Sequence, residues 1–538
     1  MDAWRLNPKI MINYGLRWDY YGVIGSENDA FSLFDFATAT VNPLGVAGTP
    51  SSLYPKDWTN FAPRFSLADD LKGNGKLVLR AGAGVFYDGA SQDYFVGAQD
   101  YNTNAGQAGP AFNYVGFASP YAYPFGDPCY NGGNPILSAD CAVFGPSSNY
   151  VPQSAFTVDQ NLRTPRYVSY NVNIESQLTS KVALQLGYVG SQGRHLFHFR
   201  DLNQVNNEGH DVTCANGTTI TYSYTPADVG NQCFPYYNLG TTFIDTPLVY
   251  LNQVETSAIS NYNSMQASLK MQNWHSLTST LNYTWAHSID TASDGVDFVP
   301  NAAQPDDSFN PHAERASSNF DVRQHVQWYW TYNLHNFHQA KWITNGWALD
   351  GLFNFATGQP YTVSYLFEGD YNGSNEYFGR PDIIGNPHSG GVGGVNLLNE
   401  AAFAAPCTWD SSTSACVPNT QHPGSEGRNA FNAPNYTNFD FSLTKTSHIT
   451  EKMTMELRAD FFNIFNHPNL CNPLMPGFGI DVFGSSHVVG NRLVSGLDPT
   501  VNGPQFMTTT ATPDVGNGNP YLGGGGPRGA QLAAHFNF

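Results

Sequence analysis

Residues 452–461 read Lys-Met-Thr-Met-Glu-Leu-Arg-Ala-Asp-Phe, an unbroken alternation of polar and apolar side chains. A period of two is the period of a β-strand. It puts Met453, Met455, Leu457, Ala459 and Phe461 on one face and Lys452, Thr454, Glu456, Arg458 and Asp460 on the other. Both faces carry information. A strand of a soluble sandwich turns its apolar face to a core and its charges to water. A strand of a transmembrane barrel turns its apolar face to lipid and its charges to a wet lumen.

The pattern recurs along the chain. It predicts twelve strands, at 9–20, 61–71, 76–88, 168–177, 182–199, 262–272, 277–287, 322–334, 347–363, 439–445, 452–461 and 530–538. The connections between them alternate in length. Those at 72–75, 179–181, 273–275, 335–346 and 446–451 are short. The others run from about 30 to about 80 residues, far beyond the usual connection in a compact domain. They are rich in Gly, Asn, Asp, Pro and Tyr. Tight turns at one end of a sheet and long loops at the other are the layout of an outer-membrane barrel, with the turns periplasmic and the loops extracellular. The expected fold is therefore all-β, an antiparallel transmembrane β-barrel. Met453, Met455, Leu457, Ala459 and Phe461 are expected to face lipid, and Glu456, Arg458 and Asp460 the lumen as a salt-bridge ladder. Aromatic residues at strand ends, Trp18, Tyr20, Phe86, Tyr87 and Phe462 among them, suit interfacial girdles. The competing reading of these aromatics is the core of a β-sandwich.

Composition agrees. Of 538 residues only 12% are charged while 14% are aromatic, with 52 Gly and 34 Pro. No run of 18 apolar residues occurs, so no helical span is expected. The net charge of −19 with 24 basic residues argues against a nucleic-acid partner, since phosphate binding needs Lys and Arg clusters. Six of the seven cysteines form close pairs in loop-like sequence, Cys129 with Cys141, Cys214 with Cys233 and Cys407 with Cys416. They are candidate local disulfides of an oxidising compartment. Cys471 is left over.

Catalytic and metal signatures are weak. Asp290, Asp294, Asp297, Asp306 and Asp307 cluster after the seventh expected strand, but the spacing lacks a third-position ligand and a closing Glu of a calcium loop. His195 and His198 fall on opposite faces of a strand, against a metal pair. Gly82 and Gly84 lead into no helix, so they make no nucleotide loop. No cofactor and no enzymatic activity are expected.

Five stretches resemble the barrel of Oar-like TonB-dependent transporters: "NFAPRFSLADDLKGNGKLVLRAGAGVFYD" (60–88), "RTPRYVSYNVNIESQLTSKVALQLGYVGSQGRHLF" (163–197), "ERASSNFDVRQHV" (314–326), "GWALDGLFNFATGQPYTV" (346–363) and "ELRADFFNIFNHPNL" (456–470). Phe538 is similar to the terminal aromatic read by the outer-membrane barrel assembly machinery. The resemblance implies a 22-stranded barrel around a plugged lumen, residence in the Gram-negative outer membrane, and energy coupling to TonB through a TonB box and plug. Neither is seen in residues 1–538, nor is a signal peptide, so the chain is expected to be the C-terminal portion of a longer transporter. The implied activity is capture of a ligand, a carbohydrate or a metal chelate, by the long loops and its uptake through the lumen. Two other readings stay open: a surface adhesin built on the same barrel, and a secreted soluble β-protein.

Overall fold

The computed structural model of the chain describes residues 2–25, 31–35, 40–45, 49–91, 94–95, 153–202, 248–293, most of 305–469, and 528–537, with short ladders within 130–135, 211–221 and 487–494. Thirteen strands form one continuous antiparallel path: β1 (Asp2–Arg5), β2 (Ile10–Trp18), β3 (Phe61–Asp70), β4 (Leu77–Tyr87), β5 (Arg166–Thr179), β6 (Val182–Asp201), β7 (Leu248–Trp274), β8 (Leu277–Asp290), β9 (Gln324–Asn333), β10 (Trp347–Ala356), β11 (Tyr436–His448), β12 (Thr454–Phe462) and β13 (Gly529–Asn537). Each pairs with its neighbours in sequence, as in a meander. All twelve expected strands are present. The thirteenth is β1, whose Trp4 pairs with Ile12 of β2. Four residues are too few for an alternation to be read, so the sequence marked only its partner.

Register sorts side chains onto two faces. Directly opposed residues share a face. One face carries Tyr14 opposite Phe65, Val172 opposite Tyr188, Leu269 opposite Leu281, Trp328 opposite Phe353, Phe441 opposite Phe461 and Leu457 opposite Ala534. This face is uncovered: Leu16 is 67% exposed, Leu457 43% and Leu532 83%. The other face carries Asn13 opposite Ser66, Ser268 opposite Asn282, Thr331 opposite Asp350 and Ser442 opposite Asp460. A soluble protein does not leave the apolar side of a whole sheet in water.

The two ends of the sheet differ. At the turn end β5 and β6 are joined by two residues, as are β7 and β8. The latter turn has His275 at φ 50° and Ser276 at φ 68°, both positive as a twist-matched two-residue hairpin requires. Gly346, at φ 75°, closes the approach to β10 where a Cβ would lie 2.1 Å from the Thr446 carbonyl oxygen. A single helical turn, Lys341–Thr344, fills the 335–346 connection.

At the loop end the wall does not stop level. β6 has 20 residues and β7 27, against about 9–11 for a membrane crossing. Their upper halves form a projecting ribbon, and Gln153–Val158 adds to β7 as a parallel strand. The expected strand at 262–272 was short because 248–261 has no clean alternation. The expected strand at 347–363 was too long. β10 ends at Ala356, and Pro360–Tyr361 pairs instead with Phe431–Asn432. Gly358 makes that departure possible, since a Cβ there would lie 1.7 Å from the Ala433 carbonyl oxygen. The buried apolar clusters lie among the loops, not in the wall. One joins Tyr361, Val363, Phe403 and Phe431. The other joins Phe31, Leu33, Phe95 and Leu162 to Phe197, Phe199 and Val254 of the ribbon.

Candidate functional site

The polar face of the wall is a hydrogen-bonded lattice. Asp350 on β10 accepts from Thr331 at 2.6 Å and from Thr444 at 3.2 Å. Arg458 on β12 lies opposite Thr444 and its Nε donates to Asp460 Oδ1 at 2.6 Å. Ser442 also donates to Asp460. Four strands, β9 to β12, are thus tied side to side. Glu456 sits on the same face opposite Thr446 and His535 but forms no salt bridge among the described residues. Of the three expected charges, two make one ion pair. Across the wall Arg80 bonds Glu175 at 3.1 Å and Arg64 lies over the Phe86 ring at 4.5 Å. The Arg80–Glu175 pair is exposed, and a pair of that kind is worth about 0–1 kcal/mol. Met455, Leu457, Ala459 and Phe461 lie on the opposite, apolar face; Met453 just precedes β12. Lys452 and Phe538 lie outside the described residues.

Above β8 and β10 the loops 291–323 and 357–435 are clasped by buried charge. Arg380 makes two parallel bonds to Glu314, both 2.6 Å, and lies 3.7 Å from Asp306. Arg428 pairs with Asp290 at the end of β8. It also donates to the carbonyl oxygen of Glu314 at 2.9 Å, to that of Asp290 at 2.8 Å and to Ser293 at 2.9 Å. Both arginines and all three of these carboxylates are buried. Burial pushes Asp306 up to about 6, against the opposing pull of Arg380. Burial would raise Glu314 too, but the Arg380 fork holds it below its usual value. Glu426, which accepts from the Val363 amide at 2.8 Å, is raised well above the carboxylate range by burial. The Arg380 fork therefore faces an ionised Glu314, and the neighbouring Asp306 and Glu426 hold their protons more tightly than an ordinary carboxyl. A buried network of this kind is costly to break from one side. Gly424 lies against it, where a Cβ would come within 1.9 Å of the Arg380 carbonyl oxygen.

This clasp answers the aspartate cluster. Asp290 and Asp306 are engaged by arginines, while Asp294 and Asp297 lie outside the described residues. No group of His, Cys, Asp and Glu suited to a metal occurs among the described residues. Glu314, Arg380, Glu426 and Arg428 were not singled out from the sequence. The only signal is their setting, isolated charges in glycine-rich loops of a chain poor in charge. Cys407 and Cys416 are joined as expected, pinning the loop that supplies Phe403. The other two expected pairs, Cys129 with Cys141 and Cys214 with Cys233, lie outside the described residues.

His195 and His198 do not act together. The β6–β7 register shifts between Gly193 and Leu196 and again before His198. His198 turns inward, buried, with Nδ1 3.1 Å from the Ser257 hydroxyl. Ser257 donates to Glu255 at 2.6 Å, and Arg200 bonds the same carboxylate at 2.9 Å. His195 takes a left-handed φ of 57°.

A family model described as "Outer membrane beta barrel domain" matches residues 1–491. No curated protein matches the chain. Among solved structures it is similar to the outer membrane transporter YddB from Escherichia coli, at 10% identity and a TM-score of 0.37, over 85% of this chain and 40% of that one. It is likewise similar to the ferric enterobactin receptor PfeA from Pseudomonas aeruginosa, at 12% identity and TM-score 0.37, over 87% and 39%. The siderophore receptor PirA from Acinetobacter baumannii follows at 11% and 0.36, over 86% and 40%. The chain thus spans about two fifths of the length of these structures. With its alternating wall, its short turns and the family match over nine tenths of its length, the chain belongs to the outer membrane beta barrel family and resides in the Gram-negative outer membrane.

Proposed function

We propose that the chain is the wall and loop end of an uptake receptor. The loop caps capture a ligand outside the cell, and the ligand passes along the polar face. In this reading Met453, Met455, Leu457, Ala459 and Phe461 meet lipid, and Glu456, Arg458 and Asp460 line the lumen. Passage is driven by TonB, which acts through segments upstream of those present here. Phe538 is the contact for the barrel assembly machinery. The ligand is a carbohydrate or a metal chelate, and no covalent chemistry is done on it.

The observation that carries this reading is the clasp of Asp290, Glu314, Arg380 and Arg428. It anchors a loop cap with its own apolar core to the top of a wall with one polar, hydrogen-bonded face. A cap fixed at the end of a channel wall is placed to select what enters. The lattice itself reads as scaffold, because Asp350, Arg458 and Asp460 are bonded within it.

The test is deletion of 364–425 from the complete protein, with the wall kept intact. Uptake of a ferric-siderophore and oligosaccharide panel should fall while the heat-modifiable gel mobility of the barrel persists. Undiminished uptake of every member of the panel by the deleted form would overturn the proposal. Loss of cell-surface attachment with uptake unaffected would favour an adhesin on the same barrel.

A further inference from the structure

Arg166 and Arg194 stand directly opposite each other where β5 pairs with β6. Like charges in that position repel, and the chain holds only 24 basic residues against a net charge of −19. Neither finds an acidic partner among the described residues. Among the described residues Arg194 donates to neutral oxygens, of Gly193 at 2.8 Å, Ser260 at 3.4 Å and Gln192 at 3.4 Å. Arg166 has a buried Nε with no hydrogen-bond partner. Arg163, exposed just ahead of β5, forms no salt bridge among the described residues either. His195 completes the group. Its own burial, then Arg166 and Arg163, disfavour its protonation. The acidic groups nearby are Asp57, which accepts from Thr59 and Thr164, and Asp88, which acts on Tyr167 and Tyr21.

The placement of the cluster says what it meets. Arg166 falls in the row of Val168, Tyr170 and Val172, on the apolar face. Tyr170 and Tyr188 stack with ring centroids 6.2 Å apart, and the Tyr188 hydroxyl donates to Asn263 at 2.6 Å. Above them the row turns polar, through Gln192 and Asn261. That change marks the rim of the apolar belt. Arg166 lies four residues beyond Tyr170, about 13 Å along the strand at ~3.3 Å per residue. The register shift after Gly193 and the left-handed His195 re-aim the side chains at this height, as bulges do.

We propose that Arg163, Arg166, Arg194 and His195 form a phosphoryl-binding site on the outer rim of the wall, occupied by a phosphate of the phosphorylated glycolipid of the outer leaflet. The guanidinium forks suit phosphate oxygens two at a time, and an anion between Arg166 and Arg194 removes their repulsion. The site rests on the apolar face meeting lipid.

The test uses the purified complete protein in neutral detergent, with native mass spectrometry of retained ligand. The probes are diphosphoryl lipid A, its monophosphoryl and fully dephosphorylated forms, and inorganic phosphate. Retention should fall in that order of lipids. With about fivefold per arginine near an anionic surface, Arg166→Gln with Arg194→Gln should weaken diphosphoryl lipid A about 25-fold. Lys72→Gln at the turn end should change nothing. Arg194→Gln alone should raise the thermal midpoint without lipid, by relief of repulsion, and lose the rise that lipid A gives the parent. This second readout holds even if the double variant folds poorly. Equal retention of phosphorylated and dephosphorylated lipid would overturn the site. Binding of inorganic phosphate with none of lipid A would overturn the lipid as occupant. Failure of every lipid to associate, with the chain soluble without detergent, would instead overturn the membrane-facing reading beneath it.

Discussion

Leu457 and Arg380 stand for the two kinds of residue that decide this molecule. Leu457 lies on the apolar face, in the row of Ala459 and Phe461, and is 43% exposed. Leu457→Arg should impair insertion, at a cost of about 2–4 kcal/mol for a charge at the midplane. Denaturant unfolding in lipid vesicles measures it, and an unchanged midpoint would mean the faces are reversed. Arg380 is the opposite case, a charge that must stay paired. Arg380→Met leaves Glu314 buried without its fork, which costs about 3–5 kcal/mol in comparable buried pairs. The loss should fall on the loop cap and not on the wall, so limited proteolysis within 357–435 should speed up while the barrel core resists. The same cap should respond to pH. Asp306 and Glu426 have raised values in the folded state. Their contribution is complete below the ordinary carboxylate range and is lost as pH rises through about 6 for Asp306. Glu314 is lowered, so its contribution is present above its ordinary value and is lost as pH falls through the depressed one. The cap is therefore tightest near pH 5 and loosens toward pH 8. Exchange of the Val363 amide, corrected for its intrinsic rate, reads this directly. A protection factor that rose from pH 5 to pH 8 would contradict the assignment.

Elements are set by turn chemistry as much as by alternation. The β7–β8 hairpin turns through His275 and Ser276 at positive φ without a glycine. An L-residue held there costs about 1–2 kcal/mol, part of which a glycine gives back through its freedom in the unfolded chain. Ser276→Gly should therefore stabilise the hairpin by about 0.5 kcal/mol, seen as a small rise in the unfolding midpoint; a fall would mean that the serine is held by more than backbone geometry. The sequence made β12 legible because ten residues alternate without a break, and β4 and β8 because one face stays largely apolar, Leu77, Leu79, Ala81, Ala83, Val85 and Tyr87 in the first and Leu281, Tyr283 and Trp285 in the second. It left the upper part of β7 unread. There the strand has left the apolar belt, so both faces meet polar or loop surroundings and the period of two disappears. The clasp was unreadable for a related reason. Glu314, Arg380 and Arg428 lie far apart in loops, and only the folded loops bring them together. The pair Cys407–Cys416 was readable because its partners are nine residues apart.

At the scale of the molecule, burial is inverted relative to a soluble domain. The apolar clusters sit in the loops, and the wall exposes Trp18, Trp285 and Trp328 at 47%, 54% and 39%. A single sheet has no interior of its own, so its apolar side needs a solvent that matches it, and lipid is that solvent. The aromatic rows give the depth scale. Trp328, between Leu281 and Phe353, lies near mid-wall. Trp347, which begins β10 at the turn end, lies with Lys445 5.8 Å from its ring. Trp18, Tyr20 and Trp58 stack at the loop end, the last two with ring centroids 4.1 Å apart. Variants that keep one of Trp328, Trp347 or Trp58 and replace the other tryptophans by phenylalanine should therefore show graded quenching by lipids brominated along the acyl chain. Quenching of Trp328 should be greatest by bromines near the chain end. Trp347 and Trp58 should respond most to bromines near the headgroup, from opposite leaflets. Equal and weak quenching of all three would place the apolar face against protein instead of lipid, and the wall would then need a different partner along its whole length.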